Sequence, residues 1–127
     1  MKTNFAALIL ALALGSCSTN VEVSDGRDLR NVKHISWDEL KVDPSKFDDD
    51  TIMISGEFHN LFEDVSINHN SDRIWINSFK PIIGDEEFMN DYSDRDITVY
   101  GLFNSKEKGH LSQYLGTIEN VFYVKIE

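Results

Sequence analysis

Four histidines are the side chains of this 127-residue chain best suited to hold a transition metal. Zinc sites bring together three or four ligands, which are histidine, cysteine or carboxylate side chains. A hairpin of the first two predicted strands would bring His59, Asp64 and His69 together, but their spacing matches no known ligand pattern. We therefore predict no metal site and no cofactor, and we expect exposed histidines at positions His34, His59, His69 and His110.

The 22 acidic residues are the next candidates for chemistry. The run Asp48-Asp49-Asp50 lacks the spaced carboxylates, the glycine and the distal glutamate of an EF-hand loop, so we interpret it as a solvated turn rather than a calcium site. Paired carboxylates can hydrolyse glycosides. In a chain this acidic, however, such pairs arise by chance and do not indicate catalysis.

Nucleophilic catalysis needs a serine or cysteine beside a base, together with a group that orients that base. The chain has one cysteine, Cys17, and no Gly-x-Ser-x-Gly elbow. A glycine-rich phosphate loop is missing from the sequence as well. We predict that the protein has no catalytic residues and is not an enzyme.

Cys17 follows a short apolar segment at the beginning of the chain. Phe5 to Leu14 are ten consecutive apolar residues, preceded by Lys2. A membrane-spanning helix takes about 20 such residues, whereas ten suit the central region of a signal peptide. The fragment Leu14-Gly15-Ser16-Cys17 resembles the bacterial lipobox. The resemblance implies that residues 1–16 are a signal peptide and that Cys17 becomes the lipid-modified first residue of a mature lipoprotein.

The lipobox resemblance also implies a location. Bacterial lipoproteins carry three acyl chains on this cysteine, and two or more chains make a stable anchor. We therefore expect attachment to a membrane through Cys17. Ser18 stands where an aspartate would retain a lipoprotein at the inner membrane of enteric-type bacteria. The resemblance thus implies a lipoprotein of the cell envelope, sorted to the outer membrane and facing the periplasm.

The charge of the mature part limits its partners. Lys2 is the one charged residue among residues 1–16, so the remaining 111 residues carry 22 acidic and 11 basic side chains, a formal charge of −11. Nucleic-acid binding depends on basic residues that neutralise phosphates, so this charge excludes it. The same field would attract a basic protein partner, although an acidic surface also simply keeps a protein soluble.

The remaining elements must position these side chains. Residues 17–31 are polar and aperiodic, which predicts a flexible tether before a domain over residues 32–127. Ser36 and Glu39 fit a capping box that starts a short helix. Alternation with a period of two then predicts five strands, with a helical segment over Glu86 to Tyr92 between the third and the fourth. The strands cover Ile52–His59, Val65–Ile67, Arg73–Phe79, Asp96–Asn104 and Gly116–Ile126.

Three strands, a helix and two strands are the element order of the OB-fold. Gly56 and Gly101 each interrupt a strand where a sheet curling into a barrel needs a bend. The fragments Ile35-Ser36-x-x-Glu39-Leu40 and Gly116-Thr117-Ile118 resemble the opening and the closing strand of small secreted bacterial proteins with an OB-like domain. We expect a mainly β fold, a small five-stranded OB-like Greek-key barrel with a short N-terminal helix and a helix between strands three and four. A differently ordered β sandwich or half-barrel is the alternative.

The alternation predicts which side chains face the interior of the barrel and which face outward. The predicted inward residues are Ile52, Ile54, Ile74, Ile76, Ile97 and Val99. OB-folds commonly bind ligands on strands two and three, so the outward side chains there form a candidate ligand face. The predicted members of this face are Met53, His59, Trp75, Asn77 and Tyr100. Trp75 would be its anchor. The competing arrangement, which we favour, packs Trp75 under the front helix beside Trp37.

These observations leave three hypotheses for function. The first is a membrane-anchored, non-catalytic binding or envelope-associated module of the periplasm. The second is an acidic immunity or inhibitor lipoprotein that neutralises a basic toxin or hydrolase. The third is a sensor of a small molecule or a metal. We favour the first, because no motif in the chain specifies a ligand.

Overall fold

The computed structural model describes residues 20–127, and Cys17 and the predicted signal peptide over residues 1–16 lie outside them. The fold is mainly β, as predicted. Within residues 20–127, no helix has the length and apolar character needed to cross a membrane. The elements, with η marking a 3₁₀ helix, are β1 (Val21–Ser24), α1 (Trp37–Val42), η1 (Pro44–Phe47), β2 (Thr51–Leu61), β3 (Asp64–His69), β4 (Asp72–Ile76), η2 (Glu86–Tyr92), β5 (Asp96–Asn104), η3 (His110–Ser112) and β6 (Thr117–Ile126).

The strands form one mixed sheet whose pairings run in a ring. β2 pairs antiparallel with β3 and with β5, β3 pairs antiparallel with β4, and β5 pairs antiparallel with β6. A short parallel pairing of β4 with β6, Trp75 opposite Thr117, closes the ring. All five predicted strands are present, and β1 is a sixth strand, added at the edge of β6.

The strand β1 corrects the prediction of a flexible tether over residues 17–31. Val21–Ser24 pairs antiparallel with the end of β6, and Val21 and Val23 pack against the core. The tether prediction is wrong for these residues because two apolar side chains alternating with polar ones are too short a pattern to stand out from a polar segment.

The ring encloses the hydrophobic core, and the residues predicted to face inward are buried there: Ile52, Ile54, Ile74, Ile76, Ile97 and Val99. In β6, Phe122 alternates with the buried Val124 and Ile126 but is itself only half-buried. Tyr100 pairs with Tyr123 while the next residue, Gly101, pairs with Val121, so Phe122 is an extra residue in the register. This β-bulge directs Val121 into the core in place of Phe122.

Two mid-strand glycines lie where neighbouring strands approach most closely. A Cβ atom on Gly56 would lie 2.6 Å from the carbonyl oxygen of Asn68 in β3. A Cβ atom on Gly101 would collide with the carbonyl oxygen of Asn120 in β6, directly beside the bulge. Both positions need glycine for the close backbone approach, and at Gly101 the register shift beside it also agrees with the bend that the sequence predicts.

The helix α1 begins at the predicted capping box. The Ser36 hydroxyl accepts a hydrogen bond from the N–H of Glu39 (3.1 Å), and the Glu39 carboxylate accepts one from the N–H of Ser36 (3.0 Å). The buried Trp37 donates its indole N–H to the carbonyl of Ser55 (2.7 Å). The predicted helical segment between the third and fourth predicted strands is present as the 3₁₀ helix η2, with Asp85 capping its first turn.

Candidate functional site

A groove of about 580 Å³ lies where the end of β4 runs beside β6. Two connections, the turn between β2 and β3 and the loop between β5 and β6, complete its walls. Its lining residues are Glu63, Trp75, Asn77, Glu107, Gly109, His110, Thr117 and Glu119. We call this cavity the Trp75 groove.

Tyr114 supports Trp75 in the wall of the groove. The two rings meet edge to face with centroids 5.2 Å apart. The Tyr114 hydroxyl donates to Asp64 (2.8 Å), which also accepts from the Ser66 hydroxyl (2.7 Å). The Arg73 guanidinium lies over the Tyr114 ring, 4.5 Å from its centroid. These contacts make Trp75 a fixed surface rather than a free side chain.

The contact between Asp64 and Tyr114 shifts the pKa of both groups. Burial acts to raise the pKa of Asp64, but hydrogen bonds from Ser66, Tyr114 and His59 outweigh it, and the pKa of this carboxyl lies below its ordinary value of 3.8. Burial and the hydrogen bond to Asp64 together raise the pKa of Tyr114 to about 12. At neutral pH the pair is therefore a carboxylate acceptor and a phenol donor.

The β5–β6 loop approaches Trp75 at Gly109. This residue has φ 67° and ψ −163°, a backbone conformation that essentially only glycine adopts. A Cβ atom there would lie 2.6 Å from Cδ2 of Tyr114 and 2.9 Å from Cβ of Trp75. Gly109 therefore sets how closely the loop packs on the aromatic pair.

Carboxylates dominate the charge of the groove. In the described part of the chain, His110 is the one basic residue that lines it. The His110 Nε2 lies 3.2 Å from a carboxylate oxygen of Glu63, and this contact joins the two connections. Glu119 accepts a hydrogen bond from Asn104 (2.7 Å). Among residues 20–127, neither Glu107 nor Glu119 forms an ion pair with a basic side chain. The groove therefore presents an aromatic wall and net negative charge.

Large apolar side chains are exposed beside the groove. Leu61 is 57% exposed and Phe62 93% exposed in the β2–β3 turn, immediately before Glu63. Leu111 follows His110 and is 71% exposed. Because Glu63 and His110 line the groove and contact each other, Phe62 and Leu111 are exposed apolar residues next in the chain to its lining.

Two members of the predicted ligand face meet in this groove. Trp75 of β4 and Asn77, the residue directly after β4, both line it, as the alternation over the predicted strand Arg73–Phe79 indicates. The arrangement that we favoured from the sequence, with Trp75 under α1 beside Trp37, is wrong. Trp75 packs against Tyr114 instead, because the β5–β6 loop folds over this part of the ring.

Met53 and Tyr100 lie outside the groove. Met53 keeps an outer position on β2, outside the core cluster, but it is only 4% exposed and offers little surface to a ligand. The segment before α1 runs beside β2 at this point, with the N–H of Ile35 donating to the Met53 carbonyl (2.8 Å). Tyr100 lies on β5 next to Phe122, with ring centroids 6.4 Å apart.

Arg27 covers the aromatic pair of Tyr100 and Phe122. Its guanidinium carbon lies 4.1 Å from the centroid of Phe122 and 5.8 Å from that of Tyr100. Asp25 binds the same guanidinium at 2.6 Å. We call this surface the Arg27 patch, and its aromatic rings already have a cation supplied by the chain.

His59, the remaining member of the predicted face, lies among carboxylates and is half-buried rather than exposed. Its Nε2 is 2.8 Å from Glu57 and its Nδ1 is 3.4 Å from Asp64. Burial acts to lower the pKa of His59, but these two contacts outweigh it and raise the pKa above its ordinary 6.5. Glu57, His59 and Asp94 bring one potential ligand atom each within 4.8 Å of one another. His69 does not join them, because its ring stacks on Trp37.

The carboxylates of the groove are the residues that the sequence did not single out. Glu107 and Glu119 belong to the β5–β6 hairpin, and Glu63 reaches them from the β2–β3 turn, which contacts His110 of that hairpin. The predicted fold held a signal for Glu107, since an OB-fold uses the loop between its fourth and fifth strands for binding and Glu107 lies between those two predicted strands.

Comparison with known protein families, with curated proteins and with solved structures finds no match to this chain. The geometry of the Trp75 groove is therefore the ground on which a function can be inferred.

Proposed function

We propose that this protein is a non-catalytic binding module of the bacterial cell envelope, anchored by lipid on Cys17 to the outer membrane and facing the periplasm. The observation that carries the proposal is the Trp75 groove. It combines a fixed aromatic wall with carboxylate, amide and hydroxyl groups in one concave surface, which is the composition of a ligand-recognition site.

The position of the groove supports an OB-like fold. The strands β2 to β6 correspond in order to the five strands of an OB-fold, with η2 between the third and the fourth. OB-folds bind on strands two and three and on the loops between strands one and two and between strands four and five. Here these regions are β3, β4, the β2–β3 turn and the β5–β6 loop, and three of the four line the groove.

Site-specific photo-crosslinking in the producing bacterium tests the binding role. A photoreactive amino acid at Asn77, an exposed residue that lines the groove, should give discrete adducts of a partner or a small molecule. The same amino acid at Asn31, which is exposed outside the groove, is the matched control. Identical adducts from both positions, or none from Asn77, would contradict a binding role for the groove.

A Cys17→Ser variant tests the anchor. Without the thiol no lipid can be attached, so we expect the variant to move from the membrane fraction to the soluble fraction while its β-sheet circular dichroism stays unchanged. Membrane partitioning that persists after removal of the signal peptide would show that Cys17 is not the anchor.

Metal sensing is a second candidate function, favoured by the cluster of Glu57, His59 and Asp94. Neutral imidazole and carboxylates are ligands that Zn²⁺ accepts. If they form a site, Zn²⁺ should raise the melting temperature of the protein, since ligands that bind only the native state stabilise it. A melting temperature that does not change with Zn²⁺ would remove this candidate.

A further inference from the structure

The exposed end of the Trp75 groove has the features of a protein-binding surface. Phe62 precedes Glu63 in the chain and Leu111 follows His110, and both present large apolar side chains to solvent next to the contact between Glu63 and His110. Exposed large apolar groups near a polar concavity are typical of interaction sites. An aromatic anchor with a polar surround is also the composition of binding hot spots.

The charge of the groove selects the kind of partner. Glu107 and Glu119 line it without a basic partner among the described residues, and the whole chain carries a formal charge of −10. Anionic lipid head groups would be repelled by these carboxylates, and so would nucleic-acid phosphates. Lys106 and Lys108 lie on the same loop but do not line the groove, and Lys106 pairs with Asp48 at 3.4 Å. The surface therefore favours a cationic protein.

Two contacts within the chain show that an arginine fits a surface made of an aromatic ring and a carboxylate. Arg27 lies over Phe122 while Asp25 binds its guanidinium. Arg73 lies over Tyr114, with its Nη1 3.9 Å from Asp64. In both places an arginine lies between an aromatic ring and a carboxylate, because the planar guanidinium stacks on the ring and pairs with the acid at once.

Trp75 has the aromatic ring and the carboxylates, but within residues 20–127 no arginine lies over it. We infer that the Trp75 groove receives an arginine side chain of a basic partner protein, whose neighbouring apolar residues contact Phe62 and Leu111. This inference rests on the proposed binding function of the groove and gives its partner a chemical class. An immunity or inhibitor lipoprotein directed at a basic toxin or hydrolase would use this kind of contact.

Nuclear magnetic resonance of the mature lipoprotein in detergent micelles tests the arginine contact. The probe is a short peptide with one arginine between two leucines, and the control peptide carries citrulline, which has the same shape without the charge. We expect the arginine peptide to shift the indole N–H signal of Trp75 and the amide of Gly109. The buried indole of Trp37, which donates to the Ser55 carbonyl, is the internal reference and should not shift.

Matched substitutions distinguish the contribution of the groove carboxylates to binding from that of the overall charge of the protein. Glu107→Gln with Glu119→Gln should weaken binding of the arginine peptide at least tenfold. Glu87→Gln with Asp91→Asn removes the same charge from two exposed residues of η2 that do not line the groove, and should change affinity less than twofold. Equal losses in the two variants would show that long-range attraction alone acts, and would overturn the inference.

Two further results distinguish this inference from the broader proposal. If photo-crosslinking at Asn77 captures a ligand but the arginine peptide leaves Trp75 unshifted, the arginine inference fails and the binding role stands. If photo-crosslinking and the peptide titration are both negative, the arginine inference and the proposed binding role fail together. Vesicles of anionic phospholipid are the remaining control. Binding of the Cys17→Ser protein to them that is lost in Phe62→Ala would identify the surface as a membrane contact and overturn the inference.

Discussion

The Trp75 groove and the Arg27 patch are both built from aromatic side chains on the outer face of the same ring of strands, but they differ in what lies over the rings. At the Arg27 patch the chain supplies a guanidinium 4.1 Å above Phe122 and a carboxylate, Asp25, to hold it. At the groove the carboxylates Glu107 and Glu119 stand beside Trp75, and the described residues supply no arginine to cover it.

The difference separates two reasons for placing an aromatic residue at a surface. A ring covered by an arginine of its own chain contributes to the packing of the segment that carries the arginine. A ring that is supported from one side and left open on a concave surface is available to a partner. The groove also depends on Gly109, where a Cβ atom would lie within 3 Å of both Tyr114 and Trp75, whereas a Cβ atom on Gly26, beside Arg27, would meet no atom within 4 Å.

The largest expected effect comes from Gly109→Ala, which would force a Cβ atom to within 2.6 Å of Tyr114. Together with the left-handed backbone, we expect a loss of about 2–3 kcal/mol in the free energy of unfolding. Gly26, beside Arg27, is the matched control, since it also has a positive φ but a Cβ atom added there would meet no atom within 4 Å. Gly26→Ala should cost about 1 kcal/mol.

Urea denaturation measures both variants. Equal losses for Gly109→Ala and Gly26→Ala would mean that backbone strain alone matters and that the close packing of the loop on Trp75 contributes nothing. In that case the view of the groove as a fixed surface would be wrong.

The members of the predicted ligand face differ in how well the sequence predicts their surroundings. Alternation places Trp75 and Asn77 outward, and both line the groove. It does not predict the burial of Met53, because a segment from a different part of the chain runs beside β2 and turns an outer position into a buried one. Local periodicity has no information about which distant segment covers a strand.

The positions of the five predicted strands along the chain are predictable from local alternation alone. Each of the five predicted strands carries its own alternation, so each can be identified without its neighbours. The strand β1 and the bulge at Phe122 are not predictable in this way, because both depend on pairing with another strand. The meeting of Glu63 with the groove carboxylates Glu107 and Glu119 is not predictable for the same reason, because it depends on contact between separate segments.

The next effect in size is expected for Asp64→Asn, which tests the support of Trp75. Asp64 accepts hydrogen bonds from Tyr114 and Ser66, and bonds to a charged group contribute about 1.5–3 kcal/mol. We expect a loss of about 2 kcal/mol near pH 5 in urea denaturation. Asp72→Asn is the control, since Asp72 makes one surface pair with Lys41 at 3.5 Å and should cost at most about 1 kcal/mol.

The pH dependence of the Asp64→Asn effect has a defined sign. The folded pKa of Asp64 is depressed, so its contribution is present above pH 3.8 and is lost as the pH falls through the folded pKa. The folded pKa of His59 is raised, in part by Asp64, so that contribution is present below pH 6.5 and is lost as the pH rises through the folded pKa. The difference between wild type and Asp64→Asn should therefore be greatest between these values, and a difference that grows below pH 3.8 would contradict the assignment.

The smallest expected effect on stability comes from Arg27→Ala, and it bears most directly on the comparison. A cation–π contact at an exposed site contributes about 0.5–1 kcal/mol, so urea denaturation should show a loss of that size. Arg30→Ala is the control, because Arg30 pairs with Asp28 in the same way but lies over no ring among residues 20–127, and its fully exposed ion pair should leave the urea midpoint unchanged.

The same Arg27→Ala protein tests whether an uncovered aromatic ring beside a carboxylate is sufficient to bind the arginine peptide. Removing the guanidinium leaves Phe122, Tyr100 and Asp25 as an uncovered aromatic surface with a carboxylate, which is the condition of the Trp75 groove. If an uncovered ring beside an acid is what recognises arginine, the variant should gain a second, weaker site for the arginine peptide, seen as shifts of the ring signals of Phe122 and Tyr100. The Arg30→Ala protein should not gain it. If neither ring responds in Arg27→Ala while Trp75 does, an aromatic ring and a carboxylate are insufficient, and the concave shape of the groove is what recognises the ligand.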